Sequence, residues 1–170
     1  MVKEKAKLSV YILAFNEEAK IVDCVKSVTW ADEVIVIDSH STDKTAEIAE
    51  RLGAKVVQVD FEGFGGIRVA GITHTQYNWI LSIDSDERCT PDAKQEILEI
   101  INSEDAKDVY YIPRRNIFMG KKIDITPNDM VTSKEVMKII SKLLEVSLYP
   151  FVTKSLIVKN IADIIGKIKT

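Results

Sequence analysis

Residues 79–87 read Trp-Ile-Leu-Ser-Ile-Asp-Ser-Asp-Glu, a mostly apolar run that ends on three carboxylates. A short, mostly apolar run bounded by polar residues predicts a buried β-strand. The strand ends on Asp84 and Asp86, and Glu87 follows directly. Because side chains two residues apart in an extended segment point the same way, both aspartates can face one ligand. Ligands of open α/β sheets bind beyond the carboxyl ends of the strands, so this end is predicted to be a binding site.

The spacing of Asp84 and Asp86 suits a divalent cation. Neighbouring carboxylates repel each other and are hard to keep ionised together. Mg²⁺ or Mn²⁺ removes that penalty, and such ions often bind through one or two carboxylates plus substrate phosphates. A solvated acidic turn before a helix is the alternative, and the spacing alone does not decide between the two.

Composition describes an ordinary globular domain. The chain has 170 residues, 46% of them hydrophobic and 29% charged, and a net charge of −3 that does not predict nucleic-acid binding. The charge is uneven, because residues 1–130 hold 16 Lys and Arg against 23 Asp and Glu, whereas residues 131–170 hold 7 against 3. The end of the chain is therefore basic.

The sequence predicts a cytoplasmic protein. Cys24 and Cys89 have no metal-binding or redox spacing, so we interpret them as reduced thiols. The start of the chain shows no signal peptide, and no apolar run reaches the length of about 18 residues that a membrane span requires.

Strands and helices alternate along the chain. Besides the stretch at 79–87, strands are predicted at 8–15, 33–38, 54–59 and 109–113. Helices are predicted at 19–28 with Asn16 as the cap, at 45–52 before Gly53, at 67–76 after a glycine-rich loop at 61–66, and from Pro91 behind the cap Thr90. This alternation predicts an α/β fold with a mainly parallel sheet.

Carboxylates follow three of these strands. Glu17 lies just beyond the first strand, Asp38 ends the second, and Asp84 and Asp86 follow the fourth. On one sheet edge they would form an acidic crevice for a ribose, a base edge and a metal. The pattern GxGxxG after the first strand and the pattern GxxxxGK[ST] are both missing, which argues against dinucleotide and P-loop folds.

Four motifs in order carry a family resemblance. They are Leu-Ala-Phe-Asn-Glu-Glu at 13–18, Val-Ile-Val-Ile-Asp-Ser-His-Ser-Thr-Asp-Lys-Thr at 34–45, Gly-Phe-Gly at 63–65 and the stretch at 79–87. Together they resemble glycosyltransferase family 2, and within it bacterial lipopolysaccharide-core glucosyltransferases. The resemblance covers residues 7–123 and implies the GT-A fold, a Rossmann-like, mainly parallel sheet flanked by helices.

The resemblance implies roles for matching residues. The nucleoside pocket would be formed by Phe15, Asn16, Glu17, Asp38, Ser41 and Asp43. Within it, Asp38 would hydrogen-bond the uracil or the ribose. Arg68 would face the diphosphate, Asp84 would reach the ribose or the metal, and Asp86 would coordinate the Mn²⁺ or Mg²⁺ that bridges the diphosphate.

The sequence departs from the family pattern in two places. Ile67-Arg68-Val69 stands where the family has Gln-Lys-Asn, and Val69 cannot hydrogen-bond as an asparagine would. The resemblance stops after Ile123, before the acceptor half that usually supplies the general base in this family, and the base stays unassigned. The acidic residues near this point are Asp124, Asp129 and Glu135.

We therefore divide the chain into a nucleotide-sugar-binding domain, 1–123, and a basic helical tail, 124–170, interrupted at Pro150 and resumed from Leu156 to Ile168. The tail either packs on the sheet or forms a basic surface that contacts an anionic membrane. The function expected is inverting transfer of a sugar from a UDP donor to a saccharide or lipid-linked acceptor in cell-envelope glycan synthesis. The alternative is a degenerate or truncated binding module without efficient transfer.

Overall fold

The computed structural model describes residues 5–112, 116–118, 121–123 and 156–159. The elements in chain order are β1 Leu8–Ala14, α1 Ile21–Val28, β2 Glu33–Asp38, α2 Thr45–Arg51, β3 Lys55–Gln58, α3 Phe64–Thr73, β4 Trp79–Asp84, α4 Pro91–Asn102, β5 Val109–Tyr111, β6 Asn116–Phe118, β7 Lys121–Ile123 and β8 Leu156–Lys159.

Six of these strands form one sheet in the order β3-β2-β1-β4-β8-β5. The first four in that order run parallel, and β8 lies antiparallel between β4 and β5. In register, Ala14 pairs with Asp38 and Leu13 pairs with Asp84. The carboxyl ends of β2, β1 and β4 are therefore level with one another, and the chain order reverses between β1 and β4, which is where α/β sheets bind ligands.

The alternation of side chains along β1 divides the core between the two faces of the sheet. Val10 and Ile12 lie in a cluster with residues of α1 and α4, whereas Tyr11 lies in a second cluster with Ile67 of α3. Helices consequently cover both faces, as expected for a parallel sheet.

Helix α3 lies unusually close to the sheet. A Cβ atom added at Gly71 would be 2.5 Å from the Tyr11 ring, a distance that no real side chain tolerates. The absence of a side chain at this position therefore sets the separation between α3 and β1.

Most of the sequence prediction is confirmed. The α/β class and the five predicted strands are present, and α4 has Thr90 as its N-cap, with the hydroxyl accepting from the Ala93 N–H, and Pro91 in its first turn. Gly53 follows α2 with φ +88°, as a helix-ending glycine does.

Two local predictions about helix starts are wrong. Asn16 does not cap α1, which begins five residues later behind Lys20. Helix α3 spans Phe64–Thr73 and not 67–76, so half of the predicted glycine-rich loop is helical. The register of a helix start cannot be read from glycines alone, because glycine is compatible with both loop and helix.

The predicted helix at 156–168 is wrong at its beginning. Leu156–Lys159 forms β8, which pairs with β4 and β5 inside the main sheet. A run of four residues fits either element by pattern, and pairing with two neighbouring strands decides for the strand. The rest of the predicted basic tail lies outside the described residues. Among the helices that the structure describes, none is both long and apolar enough to cross a bilayer.

Candidate functional site

Two loops at the carboxyl edge of the sheet are joined by hydrogen bonds. Three consecutive backbone N–H groups after β1 donate to side chains after β2. The pairs are Asn16 to Ser41 at 2.8 Å, Glu17 to Thr45 at 2.8 Å and Glu18 to Asp43 at 3.0 Å. Since every bond joins residues more than 20 positions apart, the loops between β1 and α1 and between β2 and α2 form one unit.

The same two loops are also joined in the opposite direction. The side-chain oxygen of Asn16 accepts from the Thr42 N–H at 2.8 Å, and the carboxylate of Glu18 accepts from the Lys44 N–H at 3.1 Å. Asn16 adopts φ +52°, a left-handed conformation that asparagine tolerates better than most residues. Its role is therefore to join the loops and not to cap a helix.

Asp38 lies beneath this junction with 0% of its surface exposed. One carboxylate oxygen accepts from the Ser41 N–H at 2.9 Å, and the other accepts from the Ser41 hydroxyl. These bonds compensate for removing the carboxylate from water. The hydroxyl oxygen of the neighbouring Ser39 is buried and has no hydrogen-bond partner in the described part of the chain.

Asp43 and Thr45 form the centre of the junction. The Thr45 hydroxyl is fully buried, accepts from Glu17 and donates to Asp43 at 2.5 Å, and the Thr45 N–H donates to the same carboxylate at 2.9 Å. Desolvation raises the pKa of Asp43, but the hydrogen bonds from Thr45 and from the Glu18 N–H outweigh it. The pKa of Asp43 is therefore below its ordinary value, which keeps the carboxylate ionised.

Arg68 extends from α3 to the end of β4. Its guanidinium donates to the Ser82 hydroxyl at 3.1 Å and lies 3.3 Å from the Asp84 carboxylate, with side-chain exposures of 16% for Arg68 and 24% for Asp84. Tyr11 lies below, where burial raises the pKa of its phenol while Ser82 and Arg68 act in the opposite direction. Asp84 thus has a fixed cationic partner.

Asp86 is exposed in the loop that follows β4. The Glu87 carboxylate accepts from the Asp84 N–H at 2.9 Å, which closes the loop upon itself. The Arg88 guanidinium donates to the Lys20 carbonyl at 2.9 Å, which joins this loop to the one after β1. Arg88 therefore holds the third loop in place beside the first two.

Lys20 is a cationic side chain at this acidic edge of the sheet. Its ammonium group lies 2.9 Å from the Glu17 carboxylate. The hydrogen bond and charge of Glu17 raise the pKa of Lys20, and the charge of Asp86 adds to this effect. Both carboxylates thus favour the charged form of Lys20.

Asp86 fits a cation that is bound mainly through substrate phosphates. Among residues 5–112, whose side chains are described, no three His, Cys, Asp or Glu side chains are arranged to hold a metal ion by themselves. Asp84 is already paired with Arg68, whereas Asp86 is accessible. One or two carboxylates plus phosphate oxygens is the usual Mg²⁺ arrangement in such sites.

The structure brings the predicted site residues to one edge. Phe15 is 58% exposed at the end of β1. The loops after β1, β2 and β4 carry the other predicted residues, and Arg68 reaches them from α3. Asp124, Asp129 and Glu135 lie outside the described residues.

Sequence reasoning missed Thr45 and Arg88. Thr45 was interpreted only as the start of a helix, although a threonine two residues after Asp43 is the spacing of a side-chain bond at a helix N-terminus. No sequence signal marks Arg88, because its partner Lys20 is 68 residues away.

Comparisons with known sequences agree on one family. A family model described as Glycosyl transferase family 2 matches residues 9–154 and so continues past residue 123, where the resemblance was expected to stop. An uncharacterized glycosyltransferase of Rickettsia bellii is 40% identical over 71% of this chain and 41% of its own length. The lipopolysaccharide core biosynthesis glycosyltransferase LpsC of Rhizobium meliloti is 26% identical over 68% of this chain and 45% of its own length. The chain thus spans less than half the length of these relatives.

Solved structures share the fold. Staphylococcus aureus TarS 1-349 in complex with UDP-GlcNAc superimposes with a TM-score of 0.58 and 27% identity, covering 69% of this chain and 36% of that one. Glucosyl-3-phosphoglycerate synthase from Mycobacterium tuberculosis, in complex with Mn²⁺, UDP and glucosyl-3-phosphoglycerate, gives a TM-score of 0.58 at 21% identity over 90% of this chain and 57% of that one, a likeness of fold alone.

Proposed function

The chain belongs to glycosyltransferase family 2, and we propose that its crevice binds a UDP-sugar and transfers the sugar to an acceptor hydroxyl with inversion. The observation that carries this proposal is the convergence of three loops at the sheet edge, with Asp38, Asp84 and Asp86 at the ends of β2 and β4. A nucleoside diphosphate needs hydrogen-bond acceptors for its base and ribose and positive charge for its phosphates.

The nucleoside end of the donor is assigned to the joined loops after β1 and β2. Their hydrogen bonds are made within the protein, so the two loops hold each other in place and lose little conformational entropy when a nucleoside binds. The exposed ring of Phe15 offers a face for the planar base. Asp38, which is fully buried with both carboxylate oxygens bonded to Ser41, shapes this end of the site by holding the second loop in place.

The diphosphate end is assigned to the loop after β4. Transfer breaks the bond between the anomeric carbon and a phosphate oxygen, and UDP leaves with the electron pair. A bound divalent cation supplies charge neutralisation on that leaving group. Asp86 is the residue that would hold the cation, while Arg68, paired with Asp84, and Lys20, paired with Glu17, supply positive charge at the same edge of the sheet.

Inversion requires the acceptor hydroxyl to attack the opposite face of the anomeric carbon and to give its proton to a base. Asp124, Asp129 and Glu135 are the residues to test as that base. We assign the acceptor to the saccharides or lipid-linked saccharides of the cell envelope, which the likeness to LpsC supports. The basic segment after residue 130 is proposed to contact anionic lipid near such an acceptor.

The test is a panel of UDP-glucose, UDP-galactose and UDP-GlcNAc with Mn²⁺, following UDP release and product mass. We expect one sugar to be released or transferred, and Asp86→Ala to remove that activity. The control Asp108→Ala makes the same charge change at the amino edge of the sheet, beside Val109 of β5. Binding of a UDP-sugar without turnover on any saccharide offered would favour a binding module, and no binding would contradict the proposal.

A further inference from the structure

Exposed large hydrophobic side chains are confined to one rim of the described part of the chain. They are Phe15 at 58% exposure, Phe61 at 56% and Phe64 at 58%. All three follow the carboxyl ends of strands, Phe15 after β1 and the other two after β3. Scattered exposed apolar residues need no explanation, but a set gathered beside a binding crevice does.

Phe61 and Phe64 form a pair. Their ring centroids are 5.4 Å apart at an interplanar angle of 85°, which is the edge-to-face arrangement. This geometry is one of the two arrangements that aromatic pairs prefer, because the positive edge of one ring meets the negative face of the other. The pair is therefore held together on the surface while more than half of each side chain stays accessible.

Phe64 lies in the first turn of α3, on the same side of the helix as Arg68. Ile67 and Gly71 are the buried positions of this helix, and Arg68 reaches Asp84 across the sheet edge. Phe64 precedes them by three, seven and four residues, so it belongs to the same stripe of the helix. Because α3 follows β3 and begins beyond its carboxyl end, this first turn lies at the edge of the sheet where Arg68, one turn later, reaches Asp84.

We propose that Phe61 and Phe64 form a platform for the pyranose ring of a sugar, an inference that rests on the proposed function. The C–H groups of a pyranose face carry partial positive charge and are attracted to the negative face of an aromatic ring. Asp60 and Glu62, which flank the pair in sequence, are exposed carboxylates that would accept hydrogen bonds from sugar hydroxyls, and one oxygen of Asp60 lies 3.0 Å from the His40 ring. The same carboxylates repel anionic lipid, which disfavours membrane insertion at this point.

The sugar can be that of the donor or that of the acceptor, and three probes separate the two. Calorimetry measures the affinities for UDP and for UDP-glucose. Saturation-transfer NMR detects the binding of methyl α-D-glucopyranoside in the presence of UDP. The variants are Phe64→Leu, which keeps apolar volume but removes the ring face, and Phe64→Trp, which keeps an aromatic face. Thermal melting of both checks that the fold is intact.

For a donor platform, Phe64→Leu weakens UDP-glucose binding about fivefold to tenfold, because one ring contact is worth about 1 kcal/mol. UDP affinity stays unchanged, and Phe64→Trp restores UDP-glucose binding. For an acceptor platform, neither variant changes the affinity for UDP or UDP-glucose. The saturation-transfer signal of the methyl glucoside is lost in Phe64→Leu and kept in Phe64→Trp.

Three results would overturn the platform. In the first, Phe64→Leu binds UDP-glucose and the methyl glucoside as the wild type does. In the second, Phe64→Leu weakens the binding of UDP itself. In the third, Phe64→Leu abolishes cosedimentation of the protein with phosphatidylglycerol vesicles. If the wild-type chain does not bind UDP at all, the proposed function fails. The saturation-transfer signal of the methyl glucoside, measured without UDP, then tests the platform independently.

Discussion

The hydroxyl of Thr45 accepts from the Glu17 N–H at 2.8 Å and donates to the Asp43 carboxylate at 2.5 Å while being fully buried. Removing it leaves the Glu17 N–H without its acceptor and takes one of three hydrogen bonds from the Asp43 carboxylate, which keeps those from the Thr45 and Glu18 N–H groups. Such losses cost more than the net value of a hydrogen bond, because the remaining groups stay desolvated. At the residue scale, the order of the nucleoside pocket depends on this side chain.

We expect Thr45→Val to lower the free energy of unfolding by about 1–3 kcal/mol. Thr45→Ser keeps the hydroxyl and should stay closer to the wild type. Urea denaturation of the three proteins measures the difference. Equal stability of Thr45→Val and wild type would show that water replaces the hydroxyl and that the junction does not depend on it.

Asp43 gives the fold an acid dependence. Its pKa is lowered from the model-compound value of 3.8, so it contributes stability above that value and loses it as the pH falls through the lower pKa of the folded state. Asp43→Asn, whose amide cannot accept both sets of hydrogen bonds, should be less stable than wild type at pH 7. The gap should narrow on acidification, as measured by thermal melting from pH 7 to about pH 3. A gap that is constant with pH would contradict the assignment.

At the scale of elements, α3 combines two tasks on one stripe. Gly71 lets the helix approach Tyr11, and one turn earlier Arg68 reaches Asp84. The close approach is what brings the guanidinium within 3.3 Å of the carboxylate. A helix displaced outward by a side chain at Gly71 would carry Arg68 away from the crevice.

We expect Gly71→Ala to destabilise the protein by about 1–3 kcal/mol, since the new methyl group overlaps the Tyr11 ring. Helix propensity alone would make Gly71→Ala more stable by about 1 kcal/mol. The sign of the measured change in stability therefore shows whether overlap with Tyr11 or helix propensity dominates. Gly66→Ala is the matched control, because its Cβ meets only the Cβ of the exposed Glu62 at 3.3 Å. Melting temperatures that rise in both variants would contradict the close packing of α3.

At the scale of the whole molecule, local sequence patterns were sufficient for β1 to β5 and for the shared edge at which Asp38 and Asp84 end their strands. The short strands β6 and β7 were not predicted. Apolar runs that end on Asp38 and Asp84 predicted both a parallel strand and the position of a carboxylate. Leu156–Lys159 could not be predicted as a strand, because its partners Trp79–Ser82 and Val109–Tyr111 are distant in sequence. Asn16 was mistaken for a cap because its hydrogen bonds also join distant loops. Patterns of neighbouring residues do not contain such pairings.

The central claim is that the crevice binds UDP through a divalent cation held by Asp86. Calorimetric titration of UDP, with Mn²⁺ and with chelator, tests it on the wild type, Asp86→Ala and the control Asp108→Ala. We expect Mn²⁺ to strengthen UDP binding at least tenfold, which is about 1.4 kcal/mol, in the wild type and in Asp108→Ala. In Asp86→Ala, most of this increase in UDP affinity should be lost. Equal UDP affinity with Mn²⁺ and with chelator in the wild type would contradict it.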